Sequence, residues 1–182
     1  YTKELLKEAP NVHVVGNVSF PSGSDSTSLK VIQAKEMIAT GCDEIDMVMN
    51  IGKLRSGELE EVEKDVQAVI ETVRPIPVKV IIEIMSLTPE ETKQACDICL
   101  RAGATFVKTG TGWTSQGTTL EDVRLVKSYV GDRAKIKASG GIRGLDMLVQ
   151  MYKAGARRFG VNLKSGIKIV EECMALGSSG VE

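Results

Sequence analysis

The stretch Ala102-Gly103-Ala104-Thr105-Phe106-Val107-Lys108-Thr109-Gly110-Thr111-Gly112 decides how this chain is read. A glycine closes a helix, a short apolar run follows, a lysine ends that run, and a glycine-rich loop comes next. A glycine just past a helix takes the left-handed conformation cheaply and turns the chain into a strand. The same punctuation recurs at Thr40-Gly41-Cys42-Asp43-Glu44-Ile45 and at Ala154-Gly155-Ala156-Arg157-Arg158-Phe159. Each interval holds one further strand and helix, so a unit occupies about 26 to 31 residues, the length of a βα repeat.

Working outward, six strands are expected at Val12–Phe20, Glu44–Met49, Val78–Ile84, Thr105–Thr109, Lys135–Ser139 and Arg158–Asn162. Several are near-continuous Val, Ile and Met, as in strands buried on both faces. Amphipathic helices separate them. Ser28–Ala39 follows a loop, Ser22–Thr27, that offers capping side chains. Gly57–Val73 carries Leu59, Val62, Val66, Val69 and Ile70 at helical spacing. Thr88-Pro89-Glu90-Glu91 supplies an N-cap, a proline at the first helical position and a Glu at the third. Leu120–Val130 and Leu145–Lys153 complete the series, and the first residues read as the tail of another helix.

Strict βα alternation means a parallel sheet, either doubly wound or closed into a barrel. Charges recur inside four strands, at Asp46, Glu83, Lys108 and Lys137, as they would if those strands faced one axis. That favours a TIM (β/α)8 barrel, whose catalytic groups come from several strand ends at one mouth. The chain shows six of the eight units. The reading is therefore one barrel domain over residues 1–182, incomplete at its N-terminal side, with two units expected upstream of Tyr1.

Composition removes other classes. Basic residues number 23 against 24 acidic, for a net charge of −1, with no basic stripe to hold nucleic acid or a membrane surface. No apolar run approaches the ~20 residues of a spanning helix, and the first residues do not form a signal peptide. Four cysteines in 182 residues make no disulfide scaffold and suit a reducing cytoplasm. Cys96 and Cys99 form a C-x-x-C pair. A redox pair sits at a helix N-terminus, whereas this one lies inside a helix, which favours plain packing.

Lys108 ends its strand ahead of the glycine-rich loop. Lys137 sits likewise on the next strand, in Ile136-Lys137-Ala138-Ser139-Gly140-Gly141-Ile142-Arg143. Neighbouring parallel strands lie about 5 Å apart, so the two ammonium groups repel. Repulsion and desolvation both favour the free amine, which can attack a carbonyl. A lone strand lysine more often pairs with an acid such as Asp46 or Glu83 for structure alone. Two at adjacent strand ends, with Asp46 projecting opposite Ile45 and Met47, favour chemistry. Asp46 suits acid/base work as well as an ion pair with Lys137. The loops Thr109–Gly112 and Ser139–Gly141 expose backbone N–H groups fit for phosphate. His13, the single histidine, reads as a packed or edge residue, and no acidic cluster has metal-ligand spacing.

With Val15-Gly16-Asn17-Val18-Ser19-Phe20-Pro21-Ser22-Gly23, Asp43–Gly52, Lys79-Val80-Ile81-Ile82-Glu83 and the two lysine segments in view, the sequence resembles the deoxyribose-phosphate aldolases over nearly its whole length. The resemblance implies a class I aldolase that reversibly cleaves 2-deoxy-D-ribose 5-phosphate to D-glyceraldehyde 3-phosphate and acetaldehyde. It implies that Lys108 forms the Schiff base, Lys137 lowers its pKa and relays protons, and Asp46 is the acid/base carboxylate working with a water. Substrate and phosphate contacts fall on Thr109, Gly112, Gly140, Gly141, Gly160 and Asn162. No metal or organic cofactor is implied, because the lysine imine is the electron sink. The partners implied are a small sugar phosphate and an aldehyde, with further copies of the chain in a homodimer or tetramer.

Three departures from the family pattern stand out. Gly110 replaces a serine. Asn162-Leu163 follows Gly160-Val161 where two small hydroxyl residues are usual, with Lys164 or Asn162 as possible substitutes. The first two βα units, one bearing an aspartate, have no counterpart here. Two alternatives stay open: a related lysine aldolase for another aldehyde or sugar phosphate, and an inactive fragment with a binding role.

Overall fold

A computed structural model of the chain describes residues 1–9 and 11–177. Among these residues a short helix α1 (Thr2–Leu5) precedes β1 (Val15–Val18), α2 (Thr27–Ala39), β2 (Glu44–Val48), α3 (Ile51–Arg55) and α4 (Leu59–Val73). Then come β3 (Val78–Ile81), a 3-10 turn (Ile84–Ser86), α5 (Pro89–Ala102), β4 (Phe106–Lys108), α6 (Leu120–Val130), β5 (Lys135–Ser139), α7 (Leu145–Lys153), β6 (Ala156–Gly160) and α8 (Leu163–Ala175).

The six strands make one parallel sheet in the order β1-β2-β3-β4-β5-β6. A doubly wound sheet reverses its strand order at a switch point. This one never does. Because parallel crossovers share one hand, every helix lies on the same face and the sheet curls around the other. The result is a TIM barrel over six units, with β1 and β6 each paired on one side only among the described residues. Across the interior, the Arg158 guanidinium of β6 reaches the Glu44 carboxylate of β2. The strand alternation is read out directly. Val18, Ile45, Met47, Val78, Val80, Val107 and Ile136 face the helices in the main apolar cluster. Asp46, Lys79 and Lys108 face inward and are buried.

The helices form where the sequence caps them. Ser26 accepts from the Leu29 N–H to start α2, and Thr88 with Glu91 closes a full capping box on α5. Gly103 ends α5 at φ +81°, as its place before the strand requires. On α4, Val62, Val66, Val69, Ile70 and Val73 are buried together, each worth about 1.5–3 kcal/mol of apolar burial. Cys96 and Cys99 belong to the same core. Burial pushes the Cys96 thiol up to about 12 and the Cys99 thiol well above its usual range. Both thiols therefore stay protonated at neutral pH.

Some boundaries differ from the sequence reading. β1 is shorter than Val12–Phe20, and β6 begins at Ala156 and ends at Gly160 rather than running Arg158–Asn162. β3 stops at Ile81, so Glu83 is not a strand residue. It sits beyond the strand with φ +48°. The helix placed at Gly57–Val73 starts at Leu59, and α3 was not anticipated.

One polar contact fixes the end of β2. Lys30 of α2, fully buried, holds Asp65 of α4 at 2.5 Å and donates to the Val48 carbonyl at 3.2 Å. Asp65 also accepts from the Thr27 hydroxyl at 2.9 Å. Removing one partner strands a buried charge. Lys30→Met is expected to lower unfolding free energy by about 3–5 kcal/mol. Lys30→Met with Asp65→Leu is expected to recover most of it, as read by urea denaturation.

Candidate active site

Lys108 and Lys137 are register partners on β4 and β5. Both donate to the same oxygen, Asp46 Oδ2, at 2.8 and 2.7 Å. Asp46 sits on β2, two strands from Lys108, so the contact exists only because the sheet curls. Lys79 of β3 approaches from the other side, its Nζ 3.0 Å from Asp46 Oδ1 and 2.6 Å from Glu44 Oε2. These are charge contacts without hydrogen-bond alignment, which leaves Asp46 Oδ1 and Lys79 Nζ as buried polar atoms lacking a hydrogen bond among the described residues. Arg158 completes the set at Glu44, with His13 Nδ1 3.5 Å from Glu44 Oε1.

The cluster thus brings two carboxylates together with three lysines and one arginine. Burial alone would raise the Asp46 carboxyl, but the charges of Lys108 and Lys137 outweigh it and hold it at about 2. Glu44 is likewise raised by burial and brought down to about 2 by Arg158 and Lys79. Both acids are therefore ionised at neutral pH. Cations remain in surplus, and an arginine does not give up its proton. For Lys137, burial lowers the pKa, Asp46 opposes that shift, and Lys108 and Lys79 reinforce it; the net direction is downward.

Above these groups, a cavity of about 360 Å³ opens at the C-terminal ends of the strands. Thr111, Gly112, Trp113, Ser139, Gly140, Gly141, Ile142, Arg143, Gly160, Val161 and Asn162 line it. Gly140 and Gly141, at φ +102° and +77°, turn their backbone toward it in a conformation that side chains resist. A Cβ on Gly160 would lie 2.3 Å from Ser139 Oγ, so only glycine lets β6 approach β5 there. A second cavity of about 370 Å³, lined by Lys137, Glu44, Arg158, His13, Asn11, Val15 and Phe159, opens between β1 and β6.

Of the residues expected at the site, Lys108, Lys137 and Asp46 come together below the mouth, and Gly112, Gly140, Gly141, Gly160 and Asn162 line it. Thr109 lies apart from the lining. Its hydroxyl shares hydrogen bonds with Thr118 Oγ1 at 2.7 Å and the Ser139 backbone N–H at 3.0 Å, tying two loops together. Asn162 caps α8 by accepting from the Ser165 N–H at 2.8 Å. Lys164 does not reach the lining. Glu83, grouped with the interior charges in the sequence, instead accepts from the Thr111 N–H at 3.0 Å and its hydroxyl at 2.5 Å. That explains Gly110: a Cβ there would lie 2.9 Å from Glu83 Oε1 and from Met85 Cε. Sequence reading passed over Lys79, Glu44, Arg158 and Arg143. The period-two alternation with Asp46 marks Glu44 as inward-facing, and the paired register does the same for Lys79.

Residues 9–169 match the family described as DeoC/LacD family aldolase. The chain belongs to the DeoC/LacD aldolase family. Deoxyribose-phosphate aldolase of Sinorhizobium medicae is 43% identical over 169 residues, spanning 93% of this chain and 68% of that protein. The solved aldolase QR15 superposes with a TM-score of 0.88 at 42% identity, covering 92% of this chain and 75% of its own. A tetrameric deoxyribose-phosphate aldolase from Aeropyrum pernix does so with 0.84 at 28% identity, covering 96% and 74%. The DeoC/LacD fold therefore extends across nearly all of this chain.

Because Asp46 falls from 3.8 to about 2 on folding, it stabilises the fold above its unfolded pKa and loses that effect as pH drops through 2. The contribution is about 2 kcal/mol. Denaturation of Asp46→Asn is expected to show a flatter dependence than the wild type between about pH 4 and about pH 2.

Proposed function

We propose that this chain is a class I aldolase for 2-deoxy-D-ribose 5-phosphate, with Lys108 as nucleophile. The observation that carries this reading is the sharing of one Asp46 oxygen by Lys108 and Lys137 beneath a glycine-lined cavity. Family members of this class use a lysine imine as the electron sink, with no cofactor.

In the cleavage direction the free amine of Lys108 adds to the C1 aldehyde of the open-chain sugar, and loss of water gives an iminium. A base takes the C3 hydroxyl proton as the C2–C3 bond breaks. That bond's electrons flow into the iminium to give an enamine, and C3 leaves as the aldehyde carbon of glyceraldehyde 3-phosphate. Protonation of the enamine at C2 and hydrolysis release acetaldehyde and restore the amine. Lys137 suits the relay because burial and the neighbouring lysines disfavour its ammonium and lower its pKa from the usual lysine value. Asp46, ionised throughout, orients both lysines and handles protons through a water. Lys79 and Glu44 hold Asp46 from behind.

The phosphate reading rests on the α8 N-terminus, the Gly140-Gly141 backbone and Arg143 converging on the mouth. Helix N-termini and turned backbone N–H groups favour anions, and barrels hold phosphate after their last strands. Val161 and Asn162 at the lining, without small hydroxyls, favour a second reading in which the ester contributes less and another aldehyde is accepted. A reducing cytoplasm suits the four free thiols of Cys42, Cys96, Cys99 and Cys173. No helix among the described residues is long and apolar enough to cross a membrane. We assign the chain to a homo-oligomer.

Borohydride with substrate is expected to trap a covalent adduct that peptide mass spectrometry maps to Lys108; an adduct elsewhere, or none, removes the mechanism. Lys137→Leu is expected to lower kcat about 10²–10⁴-fold, the range of general acid–base catalysis. Arg143→Gln is expected to raise KM for the phosphate ester with little change in kcat. Equal kcat/KM for deoxyribose with and without phosphate would favour the second reading.

A further inference from the structure

Glu83 is a buried acid that the catalytic steps do not use, and it stands outside the lysine cluster. Its backbone, at φ +48° and ψ +56°, lies in the left-handed region that residues with a Cβ rarely enter. The hydrogen bonds on either side account for it. The Ile82 N–H donates to the Lys108 carbonyl at 3.0 Å, and the Ile84 N–H donates to the Thr109 carbonyl at 2.8 Å. Two steps along one segment thus match one step along the other. That is a β-bulge, with Glu83 as its extra residue. A bulge re-aims a side chain, and this one sends a carboxylate to Thr111, three residues past Lys108.

The contact runs in one consistent direction. The carboxylate accepts from the Thr111 N–H at 3.0 Å and from its hydroxyl at 2.5 Å. That hydroxyl, its proton committed to Glu83, accepts in turn from the Trp113 N–H at 3.1 Å. Gly110 leaves the space, since a Cβ there would lie 2.9 Å from Glu83 Oε1. A left-handed glutamate, a buried carboxylate and a glycine in place of a side chain each cost stability. A strand can end without any of them. Such costs collect where geometry serves function.

What the contact holds is one wall of the cavity, made by Thr111, Gly112 and Trp113. The far end of the loop is tied separately, by the Thr118 N–H to the Gly140 carbonyl at 3.0 Å and the Thr118 hydroxyl to the Ser139 carbonyl at 2.6 Å. Between these ties the Trp113 ring is 75% exposed and meets Phe20 edge to face, with centroids 6.0 Å apart. Lys108 is held by other groups, its carbonyl by Ile82 and its ammonium by Asp46. The Glu83 carboxylate therefore bears on the wall more than on the nucleophile.

We propose that Glu83 is a positioning residue that acts through Thr111 to set the Thr111–Trp113 wall against bound substrate. The proposal rests on the sugar-phosphate reading of the cavity, not on the imine chemistry, and its effect falls on KM rather than kcat.

Trp113 is the one tryptophan of the chain, so its fluorescence reports on the wall without reference to turnover. Glu83→Gln loses one of the two bonds, because an amide offers a single acceptor oxygen. Thr111→Val loses the hydroxyl, and Thr111→Ser keeps every bond. Trp113 anisotropy is expected to fall in the first two variants and to stay at the wild-type value in Thr111→Ser. KM for 2-deoxy-D-ribose 5-phosphate is expected to rise about ten-fold in the same two, with kcat within about three-fold. The double variant Glu83→Gln with Thr111→Val is expected to lie within about two-fold of either single one, since both remove one contact. A merely structural role would lower the melting temperature and the active fraction while leaving KM and anisotropy unmoved, and that result would overturn the proposal. A fall in kcat at constant KM would overturn it too. A wild type that does not cleave the ester would remove the aldolase reading alone. Affinity for glycerol 3-phosphate, which carries the phosphate but no carbonyl, then decides by Trp113 quenching. Glu83→Gln is expected to weaken it about ten-fold; equal affinity, or no binding by the wild type, would overturn the positioning role.

Discussion

A carboxylate inside a protein is tolerable only beside positive charge, and Asp46 has three lysines around it. That requirement organises the barrel interior. Lys108 and Lys137 reach one of its oxygens, Lys79 the other, and Glu44 absorbs the remaining charge of Lys79 while receiving Arg158 from the far strand. Strands β2 through β6 are thereby tied through their side chains as well as their backbones. Separating any one of them leaves a charge with no counter-ion in a medium that penalises it heavily. The same arrangement that closes the sheet also leaves positive charge in surplus, which is the condition an amine nucleophile needs. Stability and reactivity share one set of groups.

Around this centre the structure divides its work by face. Outward-facing residues of the strands are apolar and interchangeable in kind, meeting α2, α4, α5 and α6 in a continuous core. Inward-facing residues are polar and particular. At the mouth, side chains withdraw and backbone takes over: Gly141 and Gly160 let the chain approach Gly117 and Ser139 more closely than a Cβ would permit, and Gly112 and Gly140 turn at positive φ. Glu83 supports that mouth from outside the lysine cluster, bracing Thr111 where Gly110 makes room. Gly110 leaves the room that the Glu83 carboxylate and Met85 occupy, and the loop keeps its form through that contact.

The two ends of the sheet differ from its middle. Among the described residues β1 and β6 each pair on one side only, and a cavity lined by Lys137 and Arg158 lies between them. β6 is the most exposed strand, and α8 behind it holds the fold with few contacts while turning an apolar line outward. The centre of the molecule is overdetermined, its last βα unit much less so. Gly160 and Asn162, which line the mouth, belong to that last unit, so its packing bears on the site even though the lysines are elsewhere.

Sequence by itself determined the repeat, the helix starts and the residues at strand ends. Those are local facts: Gly103 needs a left-handed turn, Thr88-Pro89-Glu90-Glu91 caps itself, and alternation puts Asp46 opposite Ile45 and Met47. It also marked Lys108, Lys137 and Asp46 as unusual, because charges interrupt runs that burial on both faces would keep apolar. Tertiary structure alone decided which charge meets which. Alternation with Asp46 puts Glu44 on the inner face, but nothing nearby in the chain says that Lys79 shares that axis, or that Glu44 meets Lys79 and Arg158, until sheet order and register fix it. Glu83 looked like one more interior charge, yet β3 ends two residues before it and the backbone turns, so its carboxylate serves a loop. Local conformation is set by neighbours a few residues away, whereas charge pairing across 62 or 91 residues is set only when the sheet has curled.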